Sequence, residues 1–171
     1  MFDLRSKIQP YKRFSAKAIV FLALLGLVAL FFTRFTIVFD PQDNRCLPDH
    51  WVYLIDKSNK HLEAGKPYAF AAKNLEPIFP DDTKILKILK GMPGDSVEID
   101  ALERVTINGK LVAEGLPLAA DLDKPKALFV GKGNLPANSY WFMGESEKSF
   151  DSRYWGTVTN EQIIGRAYPM F

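Results

Sequence analysis

One long apolar run near the N-terminus and a series of short runs after it organise this chain. The long run, AIVFLALLGLVALFF at residues 18–32, contains 15 residues and no charge. A spanning helix needs roughly 20 apolar residues, and FTIVF at 35–39 supplies the remainder if the side chain of Arg34 extends towards the lipid head groups. The pattern predicts a transmembrane helix from about residue 16 to about residue 36, and we assign the membrane segment to residues 18–39.

Short apolar or aromatic runs fill the rest of the chain, separated by clusters of Gly, Pro, Asn and Asp, without a sustained helical period. The strongest local signal is VTINGKLV, where Asn108-Gly109 predicts a type I′ hairpin turn. We therefore expect a mainly β fold, a compact and partly closed β-body of about 130 residues, behind one N-terminal transmembrane helix. The predicted strands cover residues 51–55, 68–72, 85–89, 97–99, 105–107, 111–113, 127–130, 140–143 and 163–167.

Charge is distributed unevenly although the net charge is only +2. Residues 1–17 carry five basic side chains against Asp3, a local charge of +4. An excess of Lys and Arg before an apolar run keeps that end in the cytoplasm. We expect a cytoplasmic tail at 1–17, a transmembrane signal anchor at 18–39 and an extracytoplasmic domain at 40–171. Because the membrane accounts for the basic tail, no nucleic-acid partner is expected.

A cleaved signal peptide is the alternative interpretation of the same N-terminal pattern. Cleavage needs small residues after the apolar core, whereas this chain has Phe31, Phe32, Arg34 and Phe35 there. The flanking residues therefore favour an uncleaved anchor.

Metal and cofactor chemistry has little support in the composition. The chain has one cysteine, Cys46, so it has no internal disulfide framework and no multi-cysteine metal site. His50 and His61 lack the i, i+4 spacing of a helical zinc pair. We expect no cofactor and no metal.

The segment KILKILK at residues 84–90 can be interpreted in two ways. Its lysines lie three apart, as on an exposed helical stripe, but the turn residues that follow favour a strand. In a strand, Lys87 shares a face with Ile85 and Leu89. An amine held on an apolar face loses hydration of its charged form, and a neutral amine can take a proton from Ser or Cys. A solvated surface lysine is the alternative.

Two boxes carry a resemblance to a known family. KILKGMPGDSVEI, which begins at Lys87, resembles the lysine box of the signal peptidase I (S26) family, and SFDSRYWG at 149–156 after Gly144 resembles its last box. Phe150 and the short spacing from Gly144 to Ser149 resemble the conjugative-transfer branch, the TraF-type pilin-processing peptidases. The closing IIGRAYPMF is also similar to the family's last strand. The resemblance implies a signal peptidase-like β-body.

The nucleophile position departs from the family. In DNRCLPDHW, Cys46 stands before Leu47-Pro48, where the TraF-type branch has serine. The resemblance implies a Cys46–Lys87 catalytic dyad, with Asn44 assisting the oxyanion hole. It also implies that Ser149 hydrogen-bonds the amine of Lys87, and that Asp151 and Arg153 form a structural ion pair. A protein that kept the fold and lost serine-type activity is the alternative.

The implied function is a membrane-anchored endopeptidase. It acts on an exported, pilin-like precursor with small residues near the cleavage site, by simple cleavage or by cyclisation. The implied location is the bacterial inner membrane, single-pass, with the N-terminus cytoplasmic, the catalytic domain periplasmic and the lipid bilayer as a partner. The alternative is a noncatalytic, membrane-anchored structural component of a conjugation or secretion apparatus that uses the same fold.

Overall fold

A computed structural model of the protein describes residues 5–40, 46, 47 and 49–170, with side chains from Phe14 onward. The chain divides into an N-terminal unit, Met1–Thr36, and a second unit, Ile37–Phe171. The first unit is dominated by helix α1, Arg5–Arg34. Within it, Phe14–Arg34 has a mean hydropathy of 2.4 and no buried side chains in its apolar window, so its length and composition suit a membrane span. This confirms the prediction of one N-terminal apolar helix.

The helix ends earlier than the predicted membrane segment of 18–39. Residues Phe35–Phe39 form strand β1 instead. The sequence FTIVF is entirely β-branched or aromatic, which favours extended backbone over helix. The expectation that these five residues lengthen the membrane helix is therefore wrong.

Eleven strands and a few short helical turns make up the described fold. Helix α2 covers Ser152–Trp155, and single 3₁₀ turns cover Lys126–Leu128 and Asn160–Gln162. After β1, the strands are β2 Val52–Asp56, β3 Pro67–Ala71, β4 Lys84–Gly91, β5 Ser96–Ile99, β6 Arg104–Ile107, β7 Lys110–Glu114, β8 Gly131–Asn134, β9 Ser139–Met143, β10 Val158–Thr159 and β11 Ile163–Pro169.

The strands form two sheets. Seven strands lie in the order β1-β2-β11-β3-β4-β9-β10, and four lie in the order β7-β6-β5-β8. The pairs flanking β4 are antiparallel, with Tyr68 of β3 opposite Lys87 and Met143 of β9 opposite Ile88. The mainly β prediction is confirmed, and eight of the nine predicted runs overlap a strand.

The exception is the run at 127–130. It contains the end of a 3₁₀ turn, and β8 begins only at Gly131. Leu128 and Val130 are exposed, so the run offers no buried face to a sheet. The strand predicted at 127–130 is therefore wrong, while the exposed residues GKGN that do form β8 carry no apolar signal.

The hairpin turn predicted at Asn108-Gly109 is confirmed. Asn108 and Gly109 have φ values of 51° and 76°, as a type I′ turn between β6 and β7 requires. The carboxylate of Asp95 accepts hydrogen bonds from the Met92 amide at 2.7 Å and the Asn108 side chain at 2.8 Å. Asp95 thus ties this hairpin to the Met92–Asp95 turn.

Strand β4 has apolar contacts on both of its faces. Ile85 and Leu89 pack with Tyr68, Phe70 and Phe142 in one buried cluster. On the other face, Ile88 packs in a second cluster with Leu47, Tyr53, Ile55, Ala69 and Ala167. The strand interpretation of KILKILK is confirmed, and Lys87 lies within a buried strand.

Candidate active site

The amine of Lys87 is held inside the protein by one serine. Lys87 is only 3% exposed, and its Nζ donates a hydrogen bond to Ser149 Oγ at 3.0 Å. Ser149 is itself fully buried. Strand β4 supplies the lysine, and the loop after β9 supplies the serine. The structure thus brings together two residues that lie 62 positions apart in the sequence.

Gly144 marks the point where this pair meets the Cys46 segment. A Cβ built on Gly144 would contact Ser149 Oγ, lie 2.7 Å from Ser149 Cβ and lie 3.0 Å from the Cys46 carbonyl oxygen. Only a residue without a side chain fits there unless a neighbour moves. Ser149 and the backbone of Cys46 therefore lie against the same point of the chain.

Cys46 is half-buried, and its carbonyl group is held by the loop after β9. Its carbonyl oxygen accepts hydrogen bonds from the amides of Glu145 at 2.7 Å and Ser146 at 3.4 Å. The next residue, Leu47, is buried in the cluster that contains Ile88. This cluster links the cysteine segment to the strand that carries Lys87. Asn44, the predicted oxyanion helper, lies outside the described residues.

Asp151 and Arg153 form a buried, two-point ion pair. Arg153 Nε donates to Asp151 Oδ1 at 2.9 Å, and Nη2 donates to Oδ2 at 3.0 Å. Burial alone would lower the pKa of Arg153, but the hydrogen bond and the charge of Asp151 raise it above its ordinary value. The guanidinium stays charged because its partner compensates for the lost water.

The same guanidinium also fixes the loop around Ser149. It donates to the carbonyl oxygens of Gly115, Glu147 and Ser149, each at 3.2 Å. Asp151 in turn accepts the Gly144 amide at 3.2 Å. The ion pair therefore positions the backbone on either side of the serine that holds Lys87.

Sequence reasoning missed several contacts in this region. The amides of Glu145 and Ser146 act through the main chain, which carries no sequence signal. Ser152 is fully buried, and its hydroxyl accepts the Phe142 amide at 2.9 Å. Among the described residues, no group of His, Cys, Asp and Glu is arranged to hold a metal ion.

Comparison with known proteins places this geometry in context. The family model for signal peptidase, peptidase S26, matches residues 12–171. The chain is 34% identical over 104 residues to a probable signal peptidase I-2 of Synechocystis sp., covering 60% of this chain and 42% of that protein. It is 27% identical over 154 residues to a signal peptidase I of Pseudomonas fluorescens, covering 69% and 53% of the two chains.

A third relative has a different name. The chain is 31% identical over 88 residues to conjugal transfer protein TraF of Agrobacterium fabrum, covering 51% of this chain and 48% of the relative. The chain spans about half the length of these curated relatives. A crystal structure of a signal peptidase I from Enterococcus faecalis V583 aligns with a TM-score of 0.40 and 23% identity, covering 63% of this chain and 97% of that one.

The family model leaves only the first residues of the basic tail unmatched and includes the segments that supply Cys46, Lys87 and Ser149. This chain belongs to the signal peptidase, peptidase S26, family.

Proposed function

We propose that the chain is a membrane-anchored endopeptidase that processes an exported precursor with a Cys46–Lys87 dyad. The observation that carries this proposal is the buried amine of Lys87, held at 3.0 Å by Ser149 beside the anchored backbone of Cys46. Burying a polar side chain is costly, so a buried lysine inside an apolar strand favours a chemical use for its amine.

Lys87 is the proposed general base. Within the described residues, its one side-chain hydrogen bond is to Ser149. That contact restrains the orientation of the amine at the end of the side chain. A neutral amine so oriented can take the proton of a nearby thiol.

Cys46 is the proposed nucleophile. Lys87 takes the thiol proton, and the sulfur attacks the carbonyl carbon of the scissile peptide bond. The Cys46 amide donates to the resulting oxyanion, and we assign Asn44 the second donor position. As the carbon–nitrogen bond breaks, Lys87 returns the proton to the departing amine, and a thioester remains on Cys46.

The thioester can be resolved in two ways. Attack by water gives a free carboxylate and restores the thiol, which completes simple cleavage. Attack by the amino terminus of the same substrate forms a new peptide bond and gives a cyclic product. Thioesters react readily with amines, so the cysteine suits both outcomes.

The proposed substrate is a pilin-like precursor with small residues at the cleavage site. Support comes from the relative named conjugal transfer protein TraF, together with the TraF-like spacing of the last box. The signal peptidase relatives support an exported precursor in general. The relative named conjugal transfer protein TraF supports conjugative transfer as the proposed context.

The proposed location is the bacterial inner membrane, with one span. Helix residues Phe14–Arg34 supply a suitable apolar stretch, and the basic residues before it favour a cytoplasmic N-terminus. The domain from residue 40 then lies in the periplasm, where exported precursors emerge.

Mass spectrometry of the pilin candidate tests the proposal. Strains carrying Cys46→Ala or Lys87→Ala are expected to accumulate full-length precursor, whereas Cys46→Ser retains part of the activity. Lys84→Ala is the matched control, because Lys84 is exposed on the same strand. A cyclic product weighs one water less than the linear one, so the same spectrum separates the two outcomes. Mature pilin in both alanine strains would instead support a noncatalytic structural component.

A further inference from the structure

A cleft of about 540 Å³ opens beside the candidate active site. Strand β7 forms one wall, and residues 144–147 form the other. These latter residues include the two whose amides bind the Cys46 carbonyl oxygen, Glu145 and Ser146. A peptide attacked by Cys46 must continue across a surface next to the cysteine. The loop that binds the Cys46 carbonyl oxygen forms one wall of this cleft.

Strand β7 offers free backbone groups along this cleft. It is the edge of the four-stranded sheet and pairs with β6, and in the described part of the chain no strand lies on its other side. An exposed edge strand can hydrogen-bond an extended peptide as an added strand. Strand β7 has five residues, so an added strand here would contain about five substrate residues over about 17 Å.

The charge lining the cleft is acidic. Glu114, Glu145 and Glu147 are exposed there, and none of them forms a salt bridge to another described residue. Arg153 also lines the cleft but is neutralised by Asp151. With that pair cancelled, three carboxylates against the ammonium of Lys90 leave a net charge of −2. A cleft with a net negative charge concentrates positively charged ligands.

We propose that this cleft binds an extended segment of the precursor as a strand added to β7. Its carboxylates select Lys or Arg within about five residues of the scissile bond. Glu145 and Glu147 are the main specificity residues, because they lie on the loop that contacts Cys46. This inference rests on the proposed function and adds a substrate preference to it.

The test uses the full chain in detergent micelles and two fluorescent peptides. Both peptides carry the same small residues at the cleavage position, and they differ in having two Lys or two Glu in the flanking segment. The rate constant kcat/KM is measured with the unmodified chain, and Kd is measured with Cys46→Ala so that binding is recorded without turnover.

The basic peptide is expected to be preferred about tenfold at low salt, the size of two exposed ion pairs. The preference shrinks as salt screens the charges. The double substitution Glu145→Gln/Glu147→Gln removes most of it. Asp123→Asn keeps it, because Asp123 is an exposed carboxylate outside the cleft whose positive φ of 52° suits Asn.

The outcomes separate this inference from the proposed function. Equal cleavage and equal binding of the two peptides would overturn the inference and leave the peptidase intact, as would a preference that survives in the double variant. Preferential binding of the basic peptide without cleavage of either would support the cleft and contradict the dyad. Neither binding preference nor cleavage would overturn both.

Discussion

The hydrogen bond between Lys87 and Ser149 allows the sharpest test of the site. Ser149→Ala removes the hydroxyl that accepts the Lys87 amine at 3.0 Å, while both residues stay within the protein interior. Leaving a buried donor without its acceptor costs about 1–3 kcal/mol, and more when the donor is charged. We expect the free energy of unfolding to fall by about 2 kcal/mol for this variant.

The same substitution should also lower the catalytic rate. A general base contributes about 10²–10⁴ to the rate, and much of that depends on its orientation. Without Ser149, the Lys87 amine can rotate among its rotamers, so we expect kcat to fall about 100-fold with a small change in KM. Urea unfolding followed by tryptophan fluorescence and peptide cleavage measure the two effects on the same full-length chain.

Ser152→Ala is the matched control. Ser152 is also fully buried, and its loss leaves the Phe142 amide unpaired. The expected loss of stability is again about 1–3 kcal/mol, but the amine of Lys87 keeps its partner. The assigned role of Ser149 is refuted if both variants lose activity equally, or if Ser149→Ala retains wild-type kcat.

Three further substitutions examine the surroundings of the site. Gly144→Ala should lower stability by about 1–3 kcal/mol and reduce cleavage, because its Cβ overlaps Ser149; Gly131→Ala, where the added Cβ meets no atom within 4 Å, should have little effect in the same unfolding assay. Arg153→Met leaves the buried carboxylate of Asp151 without its ion-pair partner, so calorimetry should record a fall of about 3–5 kcal/mol in the free energy of unfolding. The hydrogen bond from Lys126 lowers the pKa of Glu103, so Glu103 stabilises the fold at neutral pH and loses that effect as acid protonates it. The difference in free energy of unfolding between wild type and Glu103→Gln should therefore shrink as pH falls through that lowered pKa. A difference that stays constant with pH would contradict this role of Glu103.

The strands were largely predictable because most of them bury apolar residues between turn residues. The pattern of β4, for example, follows from a run with apolar contacts on both sheet faces. Strand β8 was not predictable, because all four of its residues are exposed. Its position is set by pairing with β5, where Val97 lies opposite Gly133, and such a contact leaves no mark on local periodicity. Strand β1 was assigned to the membrane because its apolar residues adjoin an apolar helix.

The residues of the candidate site also differ in how far the sequence predicts them. The strand alternation alone put Lys87 on an apolar face, and its burial at 3% exposure agrees with that prediction. Ser149, Asp151 and Arg153 could be found only through resemblance to a family, because their contacts depend on a distant loop meeting β4. The backbone amides of Glu145 and Ser146 have no residue preference, so no pattern in the sequence could indicate them.

The distribution of buried polar groups argues that this region was shaped by function. Seven polar or charged residues are buried in the described chain, and five of them, Lys87, Ser149, Asp151, Ser152 and Arg153, belong to this one region. Burying an ion costs several kcal/mol, and well-packed apolar residues often replace a buried ion pair without loss of stability. The protein therefore does not need this network in order to stay folded. What the network does is hold the Ser149 loop and Gly144 in place, and through them the amine of Lys87. A chain in which apolar residues of similar volume replaced the ion pair would be expected to stay folded and to lose the orientation of its base.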